Sequence, residues 1–374
     1  LLETVDVTIS NPVVQDPAIT LGTVTETANI TDNDSPTANL SVTTNGNETG
    51  PTAITYRVTL TRTNATGSDI TFAFNPNASP GTASLGTDYT NYTGSTITVL
   101  NNSNIGSINV AVTDDALFEN NETVIGRISS PSNGLVTIGT ATATASLIDN
   151  DNATDSINAD LAVTTHGSEG VSNIQYTVTI SKTNDTHSTI NIPILRTGGN
   201  TTDGITNDHS LLPAQVGILD GTNSTTITLT VNDDTLFEND ETLIATISEP
   251  AETAIKVNTP SATANLIDND NGIGTIQADL SVDTHAVEGS VDARFKVTLA
   301  KTNNTHGPIS FTIDTTGGSA IDGTDYTSLL PLATVSVPDN SNVGYLDIVI
   351  TDDSLFENTE TVETTITAPS DDAI

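Results

Sequence analysis

Along most of the chain, apolar side chains fall at every second position, with Thr, Ser and Asn filling the places between. Ile108, Val110 and Val112 form one such run, Ile227, Leu229 and Val231 a second, and Leu346, Ile348 and Ile350 a third. A period of two places all the apolar groups on one face of an extended strand. Val5, Val7 and Ile9 match Leu243, Ala245 and Ile247, and then Val362, Thr364 and Ile366, in the same way. Thr makes up nearly a fifth of the residues, and a β-branched polar side chain suits the outward face of a half-buried strand. Gly, Asn and Pro interrupt the runs every 8–12 residues or so, and no window carries a capped helical period. The pattern predicts an all-β chain of antiparallel β-sandwiches with about seven strands each.

The runs recur as a unit. "DDALFENNET" at residue 114 returns as "DDTLFENDET" at 233 and "DDSLFENTET" at 352, a period of 119 residues. "DND" at 32, 149 and 268 keeps about the same spacing. Self-similarity at a fixed period marks a tandem array. With "LIDND" closing each unit, residues 1–34 are the C-terminal strands of a partial copy, 35–151 and 152–270 are full copies, and 271–374 is a copy lacking its last strand. So few residues separate the copies that they are expected to stand end to end.

Charge narrows the choice of function. The chain has 374 residues, 47 of them acidic and 9 Lys or Arg, a net charge of −38 and no Cys. Such a surface repels nucleic acid and anionic lipid, and no segment approaches the roughly 18 apolar residues of a membrane span. Neither a nucleic-acid partner nor membrane insertion is expected. The recurring carboxylates stand mostly at strand ends, which a sandwich gathers at its poles. Like charges about 4 Å apart repel by roughly 1–4 kcal/mol per pair, and nine basic residues are too few to offset them. Ca²⁺ takes roughly six to eight oxygens and favours Asp- and Glu-rich loops, whereas zinc calls for Cys or paired His. Calcium is therefore the expected cofactor.

Four motifs in fixed order carry a family resemblance: "EG" (Glu169, Gly170; Glu288, Gly289), "GTDY" (Gly86 to Tyr89; Gly323 to Tyr326), "DDxLFExxET" and "LIDND". Over essentially its whole length the chain resembles tandem Calx-β domains of a large prokaryotic surface repeat protein. The resemblance implies immunoglobulin-like sandwiches that bind Ca²⁺ at one pole. Carried over by motif, the implied ligands of the first full copy are Glu48, Asp88, Asp115, Glu119, Glu122, Asp149 and Asp151, with a backbone oxygen near Asn150. The second copy offers Glu169, Asp208, Asp234, Glu238, Glu241, Asp268 and Asp270, and the third Glu288, Asp325, Asp353, Glu357 and Glu360 without a closing "DND". Each ion is expected near a junction between copies, stiffening the array into a rod.

The remaining features read more simply. Phe118, Phe237 and Phe356 are expected to be core plugs that hold the acidic loops in place, and the five His residues to lie at the surface. Asn-x-Ser/Thr sequons, among them Asn64, Asn91, Asn184 and Asn303, are about as frequent as composition gives by chance, so glycosylation is permitted. No nucleophile elbow, P-loop or H-E-x-x-H is present, and no enzyme activity is expected. The sequence points first to an extracellular Ca²⁺-stiffened stalk associated with adhesion. A second expectation is a filament subunit that joins head to tail by donating a strand from residues 19–31 to the incomplete last copy. A third, a Ca²⁺-sensor module, has less behind it, because nothing resembles an effector partner.

Overall fold

A computed structural model describes residues 2–10, 18–77, 81–90, 92, 95–204, 208–329 and 333–374. Among these there are strands and turns and no helix, so the all-β expectation holds. The chain divides into two compact units: residues 1–156 with 182–188, and residues 157–181 with 189–374.

The first unit opens with a hairpin of β1 (Leu2–Thr8) and β2 (Thr25–Thr31), paired antiparallel from Leu2↔Thr31 to Thr8↔Thr25. Its apolar residues are uncovered: Val5, Val7 and Ile30 are 47%, 62% and 48% exposed. The strand expected over 19–31 is confined to β2, and residues 19–24 run outside any sheet. A sandwich follows, built from β3 (Thr37–Thr44), β4 (Gly46–Asn47), β5 (Ile54–Leu60), β6 (Ile70–Asn75), β7 (Thr96–Val99), β8 (Ile105–Val110), β9 (Glu122–Ser129), β10 (Thr137–Thr140) and β11 (Thr142–Ile148). One sheet has the order β10-β3-β5-β8 and the other β4-β11-β9-β6-β7.

The predicted alternation is visible in β5, which buries Ile54, Tyr56, Val58 and Leu60 and turns the residues between them outward. Tyr56 spans the core: its hydroxyl donates to the Val124 carbonyl at 2.7 Å and its ring meets Phe74 at 5.1 Å. Gly126 makes room for both rings, since a Cβ there would stand 2.6 Å from Tyr56 and 2.9 Å from Phe74. The sheets are not purely antiparallel as expected. β10 pairs parallel to β3, and the two-residue β4 pairs parallel to the end of β11. Gly46 permits the second pairing, because a Cβ there would come within 2.9 Å of the Ile54 and Val112 side chains.

The second unit repeats this plan with β12 (Ile157–Thr165), β13 (Gly167–Ser168), β14 (Ile174–Asn184), β15 (Ile190–Gly199), β16 (Gln215–Ile218), β17 (Thr222–Leu229), β18 (Glu241–Ile247), β19 (Ile255–Thr259) and β20 (Ser261–Ile267). The last residues of β14, from Lys182, belong to the first unit. The sheet orders are β17-β14-β12-β19 and β13-β20-β18-β15-β16. A final sandwich comprises β21 (Ala278–Thr284), β22 (Ala293–Asn303), β23 (Ile309–Gly318), β24 (Ala333–Val337), β25 (Ser341–Ile348) and β26 (Val362–Thr367). Its sheets are β21-β22-β25 and β24-β23-β26 among the described residues.

Candidate metal centre

In the first sandwich, four separated stretches bring carboxylates together. Pairing of β4 with β11 sets Glu48 beside Asp149, with the Glu48 N–H donating to the Ile148 carbonyl at 3.1 Å. Asp88 sits in a tight turn where the Gly86 N–H donates to the Tyr89 carbonyl at 2.9 Å, and Gly86 has a φ of 97°, which side chains disfavour. Buried Tyr89 anchors the turn, and one Asp88 oxygen accepts the Ser84 N–H. The Thr113 N–H donates to the Asp88 carbonyl at 2.8 Å, which ties the acidic knot to that turn. Within the knot Asp115 accepts the Leu117 N–H at 2.9 Å, and beyond β11 Asp149 accepts the Asp151 N–H at 3.0 Å. Oxygens of Glu48, Glu119 and Asp149 lie within 4.8 Å of one another, as do those of Asp88, Glu119 and Glu122. Glu119 is thus common to two adjoining groups.

The second sandwich repeats the construction. Glu169 donates its N–H to the Ile267 carbonyl at 3.1 Å, Asp208 accepts the Thr202 hydroxyl at 3.0 Å, and the Glu238 N–H donates to Asp268 at 3.1 Å. Asp268 also accepts the Asp270 N–H at 2.8 Å. Oxygens of Glu169, Asp234 and Asp270 fall within 4.8 Å of one another, and Glu241 is buried at the head of β18. In the last sandwich Asp325, Asp353 and Glu357 approach in the same way, and the Asp353 N–H donates to Glu288 at 2.9 Å. There Glu288, Asp353, Glu357 and Glu360 are exposed and Asp325 is half-buried.

Burial makes these carboxylates unusual. Glu48, Asp88, Glu119, Glu122 and Asp149 are buried in the first cluster, and Glu169, Asp208, Glu238, Glu241 and Asp268 in the second. Among the described residues, the buried side-chain oxygens without a hydrogen-bond partner fall almost entirely here. Both oxygens of Glu48 and Glu122 and one each of Asp88, Asp115, Glu119, Asp149 and Asp151 lack one, as do both of Glu241 and one each of Glu169 and Asp270. Outside the two clusters only Arg57 Nε and Thr364 Oγ1 share that condition. Buried polar groups are normally satisfied, so this concentration points to a positive partner.

Desolvation is the leading cause of the raised carboxyl pKa values, with neighbouring charges adding to it. Glu48 is pushed up to about 7, Glu119 to about 9 and Glu122 to about 8. In the second cluster Glu169 rises to about 8, Glu238 to about 7 and Glu241 to about 9. Burial also raises Asp149 and Asp268. The donor set is all oxygen, carried by loops and anchored by backbone hydrogen bonds, and it fits a hard divalent ion such as Ca²⁺.

Each cluster is also covered by a turn that sequence reasoning missed. The Lys182 ammonium pairs with Asp151 and that of Lys301 with Asp270. The Asn304 amide donates to the Glu238 carboxylate, Asn120 Nδ2 donates to the Thr186 carbonyl at 3.3 Å, and Asn239 Nδ2 to the Thr305 carbonyl at 3.1 Å. His187 Nδ1 stands 3.7 Å from Glu122 and His306 Nε2 stands 3.4 Å from Glu241. The signal was present in the recurring "RTNAT", "KTNDT" and "KTNNT" at 62, 182 and 301, which also read as sequons. Asn64, Asn184 and Asn303 are 3%, 0% and 0% exposed. Their amides donate to the Ser68, Ser188 and Gly307 carbonyls at 2.8–2.9 Å, so these three are turn-forming residues rather than glycan acceptors. Asn91 lies outside the described residues.

Two further expectations need correction. Phe237 does not plug its own sandwich. It is fully buried in one cluster with Ile276, Leu299, Ile309 and Ala373 of the final sandwich, while Phe356 is wholly exposed. A Phe at the tip of a knot reaches beyond its own sheets, so its burial depends on what lies next to it. Not every His is at the surface either: His209 is fully buried, replacing the Tyr of "GTDY", with Nε2 3.0 Å from Thr201 Oγ1 and Nδ1 2.8 Å from the Ser210 carbonyl.

The Calx-beta domain family model matches residues 7–151, 155–270 and 276–373. No curated protein matches the chain by sequence. Among solved structures, the chain is similar to CBD12 from CALX1.2 at 17% identity and a TM-score of 0.27, covering 61% of this chain and 99% of that one. It is also similar to FdeC, an Escherichia coli adhesin, at 10% identity and a TM-score of 0.27, covering 89% of this chain and 93% of that one.

Proposed function

The chain belongs to the Calx-beta domain family, and from that premise we propose that it is a Ca²⁺-binding repeat segment of an extracellular surface protein. In this reading the modules, bounded near 35–151, 152–270 and 271–374, act as a spacer that calcium stiffens and that carries an adhesive part away from the cell. The observation that supports it most is the set of unpartnered buried carboxylate oxygens in two of the three modules. Ca²⁺ held among Glu48, Asp88, Asp115, Glu119, Glu122, Asp149 and Asp151, and among their counterparts from Glu169 to Asp270, supplies the charge that the basic residues do not. Extracellular modules bind Ca²⁺ with a Kd of roughly 10⁻⁴–10⁻³ M, and external calcium fills such sites where cytosolic calcium leaves them empty.

Calorimetric titration of the chelator-treated protein with CaCl₂, followed by thermal unfolding with and without the ion, tests the reading. Saturable binding with a rise in Tm is expected, and neither appearing at millimolar calcium removes it. A second reading is a filament subunit joined by strand donation. Negative-stain microscopy separates the two: uniform long fibres support strand donation, and isolated particles in calcium count against it.

A further inference from the structure

The two buried acidic centres are built alike but are not equal. Among the described residues, nine buried carboxylate oxygens of the first lack a hydrogen-bond partner, and four of the second. The first draws oxygens into two groups that share Glu119, the second into one. Part of the difference traces to one position in the covering turn. Phe118 bridges to Asn184 as Phe237 bridges to Asn303. In each case the next residue donates its N–H to the Phe carbonyl, Asp185 at 2.9 Å and Asn304 at 2.8 Å. Register therefore puts Asp185 and Asn304, the fourth letters of "KTNDT" and "KTNNT", in the same place.

Their side chains act in opposite senses. The Asn304 amide donates to the Glu238 carboxylate, and no Glu238 oxygen belongs to the unpartnered set. An ionised Asp185 has no proton to donate, and Glu119, the counterpart of Glu238, keeps one buried oxygen unpartnered. Burial raises both glutamates, but the Asn304 bond holds Glu238 to about 7, whereas the charges of Asp88, Asp115 and Glu122 help carry Glu119 to about 9. After burial and Asp88, the charge of Asp185 adds to the rise of Glu122. The second centre has a further offset in Arg196, which pairs with Asp203 at 2.7 Å and whose charge works against the rise of Glu241. Residues 70–99 of the first sandwich include no Lys or Arg.

We propose that Asp185 is a further carboxylate ligand of the first calcium centre, and that Asn304 closes part of the second with a protein hydrogen bond, so that the first centre fills at lower calcium. A ligand set with more negative charge binds Ca²⁺ more tightly. In the metal-free protein the roles reverse. Asp185 then adds repulsion to a centre already crowded with carboxylates, and Asn304 satisfies an acceptor that is otherwise unmet. This one position thus sets both the order of filling and the stability that each centre gains from the ion. The ordering rests on the calcium-binding function proposed above.

Calorimetric titration of the full chain with CaCl₂, for the wild type, Asp185→Asn and Asn304→Asp, tests it. Each substitution installs the residue that the other turn already carries. The wild type is expected to show two classes of site. Asp185→Asn is expected to weaken the tighter class roughly tenfold or more and to leave the weaker class unchanged, and Asn304→Asp to tighten the weaker class by a similar factor. Thermal unfolding in chelator is expected to run the other way, with the Tm of Asp185→Asn above the wild type and that of Asn304→Asp below it. Calcium uptake with affinities that neither variant shifts overturns the assignment and leaves the proposed function standing. A lower Tm for Asp185→Asn in chelator and in calcium alike overturns it too, because Asp185 then serves the turn and not an ion. No uptake by the wild type at millimolar calcium removes the proposed function, and the ligand role of Asp185 with it.

Discussion

Glu119 is the residue on which the first site turns, because it belongs to both groups of oxygens and its carboxyl is raised furthest in that cluster, to about 9. At neutral pH and without a cation, the folded protein must hold this carboxyl protonated or bury its charge, and an unfolded chain does neither. Keeping a carboxyl of ordinary pKa 4.5 protonated in the fold costs on the order of 3 kcal/mol at pH 7. Glu119→Gln removes that cost together with a ligand of the proposed site. In chelator its Tm is expected above that of the wild type, and in millimolar Ca²⁺ below it, a reversal that differential scanning calorimetry reads directly. A variant less stable under both conditions shows that the carboxylate serves packing rather than an ion. The clustered carboxylates were legible in the sequence because the motif repeats, and the structure gathers Glu48, Glu119 and Asp149 from positions a hundred residues apart. The buried state of Asn64, Asn184 and Asn303 was not legible, since an Asn-x-Thr turn and a sequon are spelled alike.

Among the elements, the knot and the turn that receives it behave as one structural joint. Alternation in the sequence located the strands because burial on one face imposes a period of two. Pairings of two residues, such as β4 with β11, leave too short a pattern to see, and the parallel pairing of β10 with β3 was missed because alternation marks a strand's buried face and not its direction. The reach of Phe237 into the next core was equally hidden, because a lone aromatic in a loop carries no period. Phe237→Ala leaves a hole in a well-packed core and is expected to destabilise the second unit by about 3–5 kcal/mol, read by urea unfolding. Phe356→Ala, the same change on an uncovered knot, is expected to leave monomer stability within about 0.5 kcal/mol. Equal effects of the two substitutions on the monomer exclude a receiving socket as the source of the difference.

For the whole molecule, a net charge of −38 and two buried acidic clusters set the response to pH and calcium. In the folded, metal-free protein Glu48 and Glu238 are raised to about 7, Glu122 and Glu169 to about 8, and Glu119 and Glu241 to about 9, all from an ordinary 4.5. Between those limits the folded state binds more protons than the unfolded one, so stability falls as pH rises. The contribution of these groups is complete below about pH 4.5 and is lost as pH climbs through 7 to 9. Each group still protonated contributes a slope of about 1.4 kcal/mol per pH unit while the titrations remain independent. Under the proposed function calcium reverses the sign, because an ion held by the ionised carboxylates competes with their protons. Tm measured from pH 5 to pH 9 is therefore expected to fall in chelator and to rise or hold level in Ca²⁺, so that the gap between the two widens with pH. Added NaCl narrows the gap only slightly, since buried charges are screened far less than exposed ones. Parallel curves with and without calcium leave the buried carboxylates with some other neutralising partner, and the ion-stiffened spacer then loses its physical basis.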